Sequence, residues 1–300
     1  MKAVDVVIAG ELFADLIMTG FDFWPAPGRE AFATEFHREI GGGAAITACG
    51  LARLGMRTRV LGVVGTDGDW LINRLASMGV DTSTVRIDPS EATAFTVVAT
   101  SSADRAFLTY PGANRRFPAT LREGFGAASH VHLACAPVLD TASELFTMIH
   151  ENGCTISLDA GWHEEWLADH RLLTILPLVD IYFPNQAEAQ RITGESAPVE
   201  MLHKFDECGV KRVALKLGPG GAGLLWDGEI LWSGPRRVTT IDTTGAGDCF
   251  DAGFLRAWLR GDSPEVCLRT ANICGALSTE VYGGIEGFPN PKRLAEELKL

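Results

Sequence analysis

Short apolar runs alternate with helical periodicity over most of this chain. Residues 4–9 are almost continuously apolar, the pattern of a strand buried on both faces. The same pattern recurs at residues 59–64, 130–134, 154–158, 180–183 and 213–217. Between these runs, helical spacing appears over residues 67–78 (closed by Gly79), near 141–150, around 164–173, and in segments reaching Cys208. A second β-branched run, Val238 to Ile241, reads as a strand that halts in a glycine turn. Ala246, Cys249, Phe250, Gly253, Phe254, Ala257 and Trp258 then recur at helical spacing, and residues 268–281 predict a further long helix. Such alternation predicts a doubly wound, mostly parallel sheet with helices on both faces and ligands outside the carboxyl ends of the strands. Two regions break the rhythm. Residues 16–40 carry the turn-rich Phe23-Trp24-Pro25-Ala26-Pro27-Gly28 between extended pieces, and residues 92–108 alternate before ending in Tyr110-Pro111-Gly112. The expectation is a single domain over residues 1–300, with segments of about 12–40 and 92–112 forming a small β-sheet lid.

Composition narrows the class. At 46% hydrophobic and 21% charged, the chain is that of a globular protein able to bury a sizeable core. A net charge of −12 argues against nucleic acid or an anionic membrane as the main partner. Seven cysteines, an odd number without a Cys-x-x-Cys pair, lie mostly in apolar runs, as buried reduced thiols do. The chain enters a strand pattern almost at once, and no apolar run approaches the ~20 residues of a membrane span. A cytoplasmic location is expected.

The most informative stretch is Ile241-Asp242-Thr243-Thr244-Gly245-Ala246-Gly247-Asp248, which opens a helix. Helix N-termini carry free N–H groups and partial positive charge, and are ready anion sites. Gly245 and Gly247 remove side chains that would block an anion from those amides. Asp248 adds a carboxylate that can orient or deprotonate an attacking hydroxyl, a pairing that phosphoryl transfer can use. Gly41-Gly42-Gly43 similarly opens a small-residue helix, suited to close approach by a ligand or by another backbone, that ends at Gly55. Asp15 follows the first buried strand and is either a turn residue or a ligand. Asn185-Gln186-Ala187-Glu188 is an ordinary helix start whose spacing also places an amide and a carboxylate on one face.

Several alternatives fail on context. Gly218-Pro219-Gly220-Gly221-Ala222-Gly223 matches a dinucleotide fingerprint in spacing, but a hairpin pattern with an Asp227-Gly228 turn follows it instead of a helix. There is no P-loop lysine motif and no Gly-x-Ser-x-Gly elbow. His130 and His132 point to one side of a strand, where packing is the expected role, because no third zinc ligand lies nearby in sequence.

The eight-residue string ending in Asp248 resembles the signature of the ribokinase/PfkB-type carbohydrate kinases. The Gly41–Gly43 stretch running to Ala52-Arg53-Leu54-Gly55 is similar to the family's amino-terminal signature, with Ile46 where an asparagine that binds sugar hydroxyls is usual. The resemblance implies ATP-dependent phosphorylation of a hydroxyl on a sugar or sugar-like molecule. Asp248 would be the base, and Gly245, Ala246 and Gly247 the anion hole. It implies Asp15, Gly41, Gly42, Gly43 and position 46 at the substrate, and Asn185, Lys216, Gly218, Gly221 and Asn272 at the nucleotide. Asn185 and Glu188 would organise Mg2+ through water, and Asp242 and Thr244 are candidates for a monovalent cation such as K+. An exposed sheet edge is a liability, so a homodimer through the lid is also expected. Ile46, Cys135-Ala136-Pro137, and Asp159-Ala160-Gly161-Trp162-His163 in place of the family's Asp-Pro-Asn-x-Arg are poorer in polar groups than the pattern they replace. Such departures point to a less hydroxylated substrate. A nucleoside kinase, or a catalytically silent ligand sensor on the same fold, stand as alternatives.

Overall fold

The computed structural model describes residues 4–100, 105–121, 125 and 128–299 of the 300-residue chain. Residues 101–104, inside the second expected lid segment, therefore lie outside the described residues. The chain opens with β1 (Val6–Gly10), then builds β2 (Phe13–Thr19) and β3 (Glu35–Gly41). It returns through α1 (Gly43–Arg53), β4 (Thr58–Leu61), β5 (Val63–Gly65), α2 (Asp69–Ser77) and β6 (Arg86–Asp88). After β7 (Phe95–Thr100) and β8 (Arg105–Tyr110) come β9 (His130–Ala134), α3 (Leu139–Glu151), β10 (Thr155–Leu158), and the short α4 (Glu164–Leu167) and α5 (Leu172–Ile175). Next are β11 (Ile181–Tyr182), α6 (Gln186–Thr193), α7 (Pro198–Glu207), β12 (Arg212–Lys216), β13 (Ala222–Trp226) and β14 (Glu229–Ser233). The last helices are α8 (Ala246–Leu259), α9 (Pro264–Ser278) and α10 (Pro291–Glu297).

The main sheet has eight strands in the order β14-β13-β12-β11-β10-β9-β1-β4, parallel from β12 through β4, with β13 and β14 as an antiparallel hairpin. Its parallel strands are buried on both faces, which is why they read as continuous apolar runs. One core, containing Ile46, Phe250, Phe254 and Leu268, packs under α1, α2 and α8 to α10. The other, containing Phe146, Leu172, Met201 and Phe205, packs under α3 and α5 to α7. From β1 the chain moves to β4 on one side and β9 on the other, so the order reverses at β1 and a crevice opens at the strands' carboxyl ends.

A separate four-stranded sheet, β3-β2-β7-β8, is formed by the two segments that broke the α/β rhythm. Two strand expectations need correction. Residues 238–241 form no strand; among the described residues no strand pairs with the β-branched run, whose Ile241 amide instead donates to the Thr279 carbonyl at 2.7 Å. The run at 59–64 is two strands split at Gly62: β4 joins the main sheet, and β5 leaves it to pair with β6. Gly62 is the breakpoint because a Cβ there would lie 2.6 Å from Leu12 Cδ1 and Cγ. The helical region around 164–173 is likewise two short helices, not one.

Candidate active site

Three elements bring their ends together at the crevice. Helix α8 begins at Ala246 after Gly245, whose φ of 70° lies in the left-handed region that glycine adopts without strain. Helix α1 begins at Gly43, where an added Cβ would lie 2.8 Å from Asp248 Oδ1 and 3.5 Å from the Ala134 Cβ at the end of β9. The two helices can lie this close because Gly50 faces Ala252: a Cβ on Gly50 would stand 2.8 Å from the Ala252 Cβ. Thr47 Oγ1 also donates to the Asp248 carbonyl at 3.3 Å. Asp248 is thus held in the first turn of α8 with its carboxylate at the mouth of α1.

Asp15, on β2, is buried beside Gly41, where any Cβ would collide with its carboxylate. Burial pushes the Asp15 carboxyl up to about 7, assisted by the negative charges of Asp242 and Glu39. Burial likewise pushes Asp248 up to about 7; Asp159 and Asp15 add to the shift and Lys216 opposes it. A carboxylate tuned near neutrality is suited to take a proton from a hydroxyl.

On the other side of the turn lies a cavity of about 510 Å3, lined by Ala246 and Gly247 together with Lys216, Gly218, Gly221 and Asn272. Four of the five residues expected near a nucleotide therefore share one cavity with the anion turn, whereas Asn185 does not line it. Asn272 is buried, and its Nδ2 donates to the carbonyls of Ser233 (3.1 Å) and Gly234 (3.3 Å), which fixes one wall. Gly218-Pro219-Gly220 is a single tight turn leading into the β13–β14 hairpin. Arg236 and Arg237 line the same cavity and were not singled out from the sequence. Their signal was present, as two adjacent arginines in an acidic chain just before the glycine turn.

Asn185 and Glu188 form a capping box at the start of α6. Asn185 Oδ1 accepts from the Glu188 amide at 3.0 Å, and Glu188 Oε2 accepts from the Asn185 amide at 2.8 Å. Glu188 is buried, and that burial, together with nearby Asp159, holds its carboxyl above the usual range. Asp242 Oδ1 accepts from the amide and hydroxyl of Thr244 (3.0 and 2.7 Å), and its Oδ2 from the Gly283 amide at 3.0 Å. These bonds tie the turn to the loop after α9.

Ile46 needs a correction. It is 2% exposed, and its Cδ1 would be 2.8 Å from a Cβ on Gly245. It packs against the back of the anion turn and presents no surface to a substrate. His130 and His132 are packing residues: His130 Nδ1 meets Thr155 Oγ1 at 2.8 Å, and His130 Nε2 and His132 Nδ1 both meet Ser157 Oγ at 2.7 Å.

Residues 4–292 match the model of the pfkB family carbohydrate kinases. The chain belongs to this family. Among its relatives, the 2-dehydro-3-deoxygluconokinase of Bacillus subtilis (strain 168) is 30% identical over 284 residues, spanning 88% of this chain and 87% of that protein. Among solved structures, Arabidopsis thaliana ribokinase complexed with ribose and ATP superposes at a TM-score of 0.85 with 27% identity, covering 99% of both chains. A putative ribokinase II from E. coli in complex with ATP and Mg2+ gives a TM-score of 0.85 with 26% identity, again over 99% of both. The doubly wound sheet, the small separate sheet and the carbohydrate kinase class expected from the sequence are thereby shown. Among the described residues, no helix is long and apolar enough to cross a membrane.

Proposed function

We propose that this kinase transfers the γ-phosphoryl group of ATP to a hydroxyl of a sugar or sugar acid. The observation that carries the reading is the position of the turn at 245–248. It has Asp248, Gly43 and Asp15 on one side, and the cavity lined by Gly218, Gly221 and Asn272 on the other. ATP enters that cavity with its phosphates toward the amides at Gly245, Ala246 and Gly247, and the acceptor lies beside Asp15, Gly41, Gly42 and Gly43. Asp248 takes the hydroxyl proton while the amides receive the charge that develops on the transferring group. Asp15 accepts hydrogen bonds from the acceptor.

Asn185 and Glu188 fit a magnesium ion held through water. Glu188 is a buried carboxylate, and Mg2+ needs few direct protein ligands. Bound there, the ion neutralises phosphate charge. A monovalent cation such as K+ beside Asp242 and Thr244 belongs to the same reading, tested by exchanging potassium for tetramethylammonium. All seven cysteines are free thiols, which fits the reducing cytoplasm. The nucleoside alternative loses its main support, because the apolar Ile46 faces the turn and not the acceptor.

An ATP-consumption screen over sugars, sugar acids and nucleosides tests the assignment. Asp248→Asn should lower turnover at least ~100-fold while ATP binding survives. Near-wild-type turnover in the folded variant would remove Asp248 as base. Full activity in excess chelator would remove the metal-assisted mechanism. Tight ligand binding with no ATP consumption would favour the sensor.

A further inference from the structure

Lys216 is a buried cation set directly against the anion turn. It ends β12, and its amide donates to the Pro184 carbonyl at 2.9 Å, so strand register fixes where its side chain starts. Its Nζ lies 2.6 Å from Asp159 Oδ2 and 3.3 Å from Asp251 Oδ1. Asp251 is wholly buried one turn after Asp248 on α8. One oxygen from each of Asp159, Asp248 and Asp251 falls within a 4.8 Å group. An ammonium has three donors. This one donates to Asp159 Oδ2 and, over the longer distances of 3.3 and 3.5 Å, to the two oxygens of Asp251. A Cβ at Gly247 would lie 3.4 Å from Nζ, which puts the ammonium at the cavity wall beside the turn's amides.

Burial raises the Asp251 carboxyl far above the usual carboxylate range, and the Lys216 ammonium opposes that shift. Burial works against ionisation of Asp159 as well, but the Lys216 ammonium and its hydrogen bonds hold it well below that range. Structure alone does not call for this arrangement, since a buried ion pair is on average no better for stability than a packed apolar trio. Phosphoryl transfer does call for a cation. The chain has no P-loop lysine, residues 159–163 hold no arginine, and Arg236 is paired outward with Glu297 at 2.7 Å.

We propose that Lys216 is the catalytic cation of the transfer step, its ammonium exchanging the long contacts to Asp251 for the γ-phosphoryl oxygens, and that Asp159 and Asp251 are the positioning residues that hold it there. This rests on the phosphoryl-transfer reading of the turn. In the step, the bond from the γ-phosphorus to the β,γ-bridging oxygen breaks and its electron pair leaves on ADP. The acceptor oxygen bonds to phosphorus and its proton passes to Asp248. Lys216 neither gains nor loses a proton.

The test compares wild type with Lys216→Met, with Lys216→Met/Asp159→Asn, which removes the ammonium together with its nearest carboxylate, and with Asp251→Asn. Turnover is measured with ATP–Mg2+ against ribose, fructose, 2-dehydro-3-deoxygluconate and inosine. Calorimetry gives the affinities for ATP–Mg2+ and ADP–Mg2+, and thermal melting reports the fold. The folded double variant should lose at least about a hundredfold in kcat. Its ADP affinity should stay within about threefold of wild type, while its ATP-over-ADP preference falls about tenfold with the lost charge-assisted bond. Asp251→Asn should lower kcat about tenfold with the KM for ATP moving less than twofold, a split that a purely structural role would not produce. Turnover by the double variant within tenfold of wild type overturns the proposal, and so does equal loss of ATP and ADP affinity. If wild type consumes no ATP with any acceptor, the kinase reading fails separately, and the ATP-over-ADP ratio still decides whether Lys216 meets a γ-phosphate.

Discussion

Asp248 combines chemistry with a cost to the fold. Its carboxyl sits at about 7 through burial and the neighbouring Asp159 and Asp15. Below that pH it carries its proton and cannot accept another from the acceptor. kcat/KM, which reports the free enzyme, should therefore rise with pH along an acid limb with its midpoint near 7. Stability runs the other way. A carboxylate with a higher pKa folded than unfolded holds its proton more tightly in the native state. Its contribution is present at pH below the unfolded value, roughly 4, and is lost as pH rises to the folded value. Asp248→Asn removes that loss, so the inactive variant should melt higher than wild type at pH 8, by roughly 2 °C for about 1 kcal/mol, and less so at pH 5. An acid limb at pH 5, or an Asp248→Asn variant less stable at pH 8, would show that the carboxyl is ordinary.

At the scale of elements, α1 and α8 are locked by small residues, whereas the small sheet reaches the crevice through Asp15 on β2 and the β3 end at Gly41. Water must be kept from an activated γ-phosphate, and a sheet joined through these segments can close over it. Saturating acceptor should slow amide exchange in β2, β3 and β7 together; no change in any of them with an acceptor that is turned over would sink the lid. These elements were legible from sequence because each obeys one period: continuous for buried strands, alternating for β7, helical for α8. Residues 238–241 misled because β-branching records a preference that pairing must realise, and among the described residues no strand pairs with them. Ile46 misled for a related reason. A helical position near a ligand loop can turn toward the loop's back, and only the packing against Gly245 and Gly284 shows which way it faces. Asp251 left a signal that passed unread: an aspartate inside Cys249-Phe250-Asp251-Ala252-Gly253-Phe254, where burial demands a partner. Its partners Lys216 and Asp159 come from distant strands, which local pattern cannot join.

For the whole molecule, the main sheet hides both faces under helices, whereas the small sheet buries one face more deeply than the other. Along β2, Asp15 and Ile17 are buried and Leu16 and Met18 are half-buried, so the strand's alternation assigns one face inward and one outward. Register extends the outward face: Met18 lies opposite Phe36, and Leu16 opposite Val97, which lies opposite Leu108. Phe36 is 57% exposed and Leu108 62%. This face is largely apolar, with Arg38 opposite Leu16, and on an acidic protein of net charge −12 its apolar residues would gain by burial against a partner. In the homodimer expected through the lid, two copies related by a two-fold axis would cover Phe36 and Leu108 of each other. Sedimentation at micromolar concentration should give a dimer. Phe36→Glu combined with Leu108→Glu places like charges across the axis and should yield a folded monomer with an unchanged melting profile for the main domain. Closure of the site would then lack its support, and the acceptor KM should rise several-fold with ADP affinity unmoved, because the nucleotide cavity is built from β12, α8 and α9. A wild-type protein that is monomeric throughout the micromolar range would rule out that dimer.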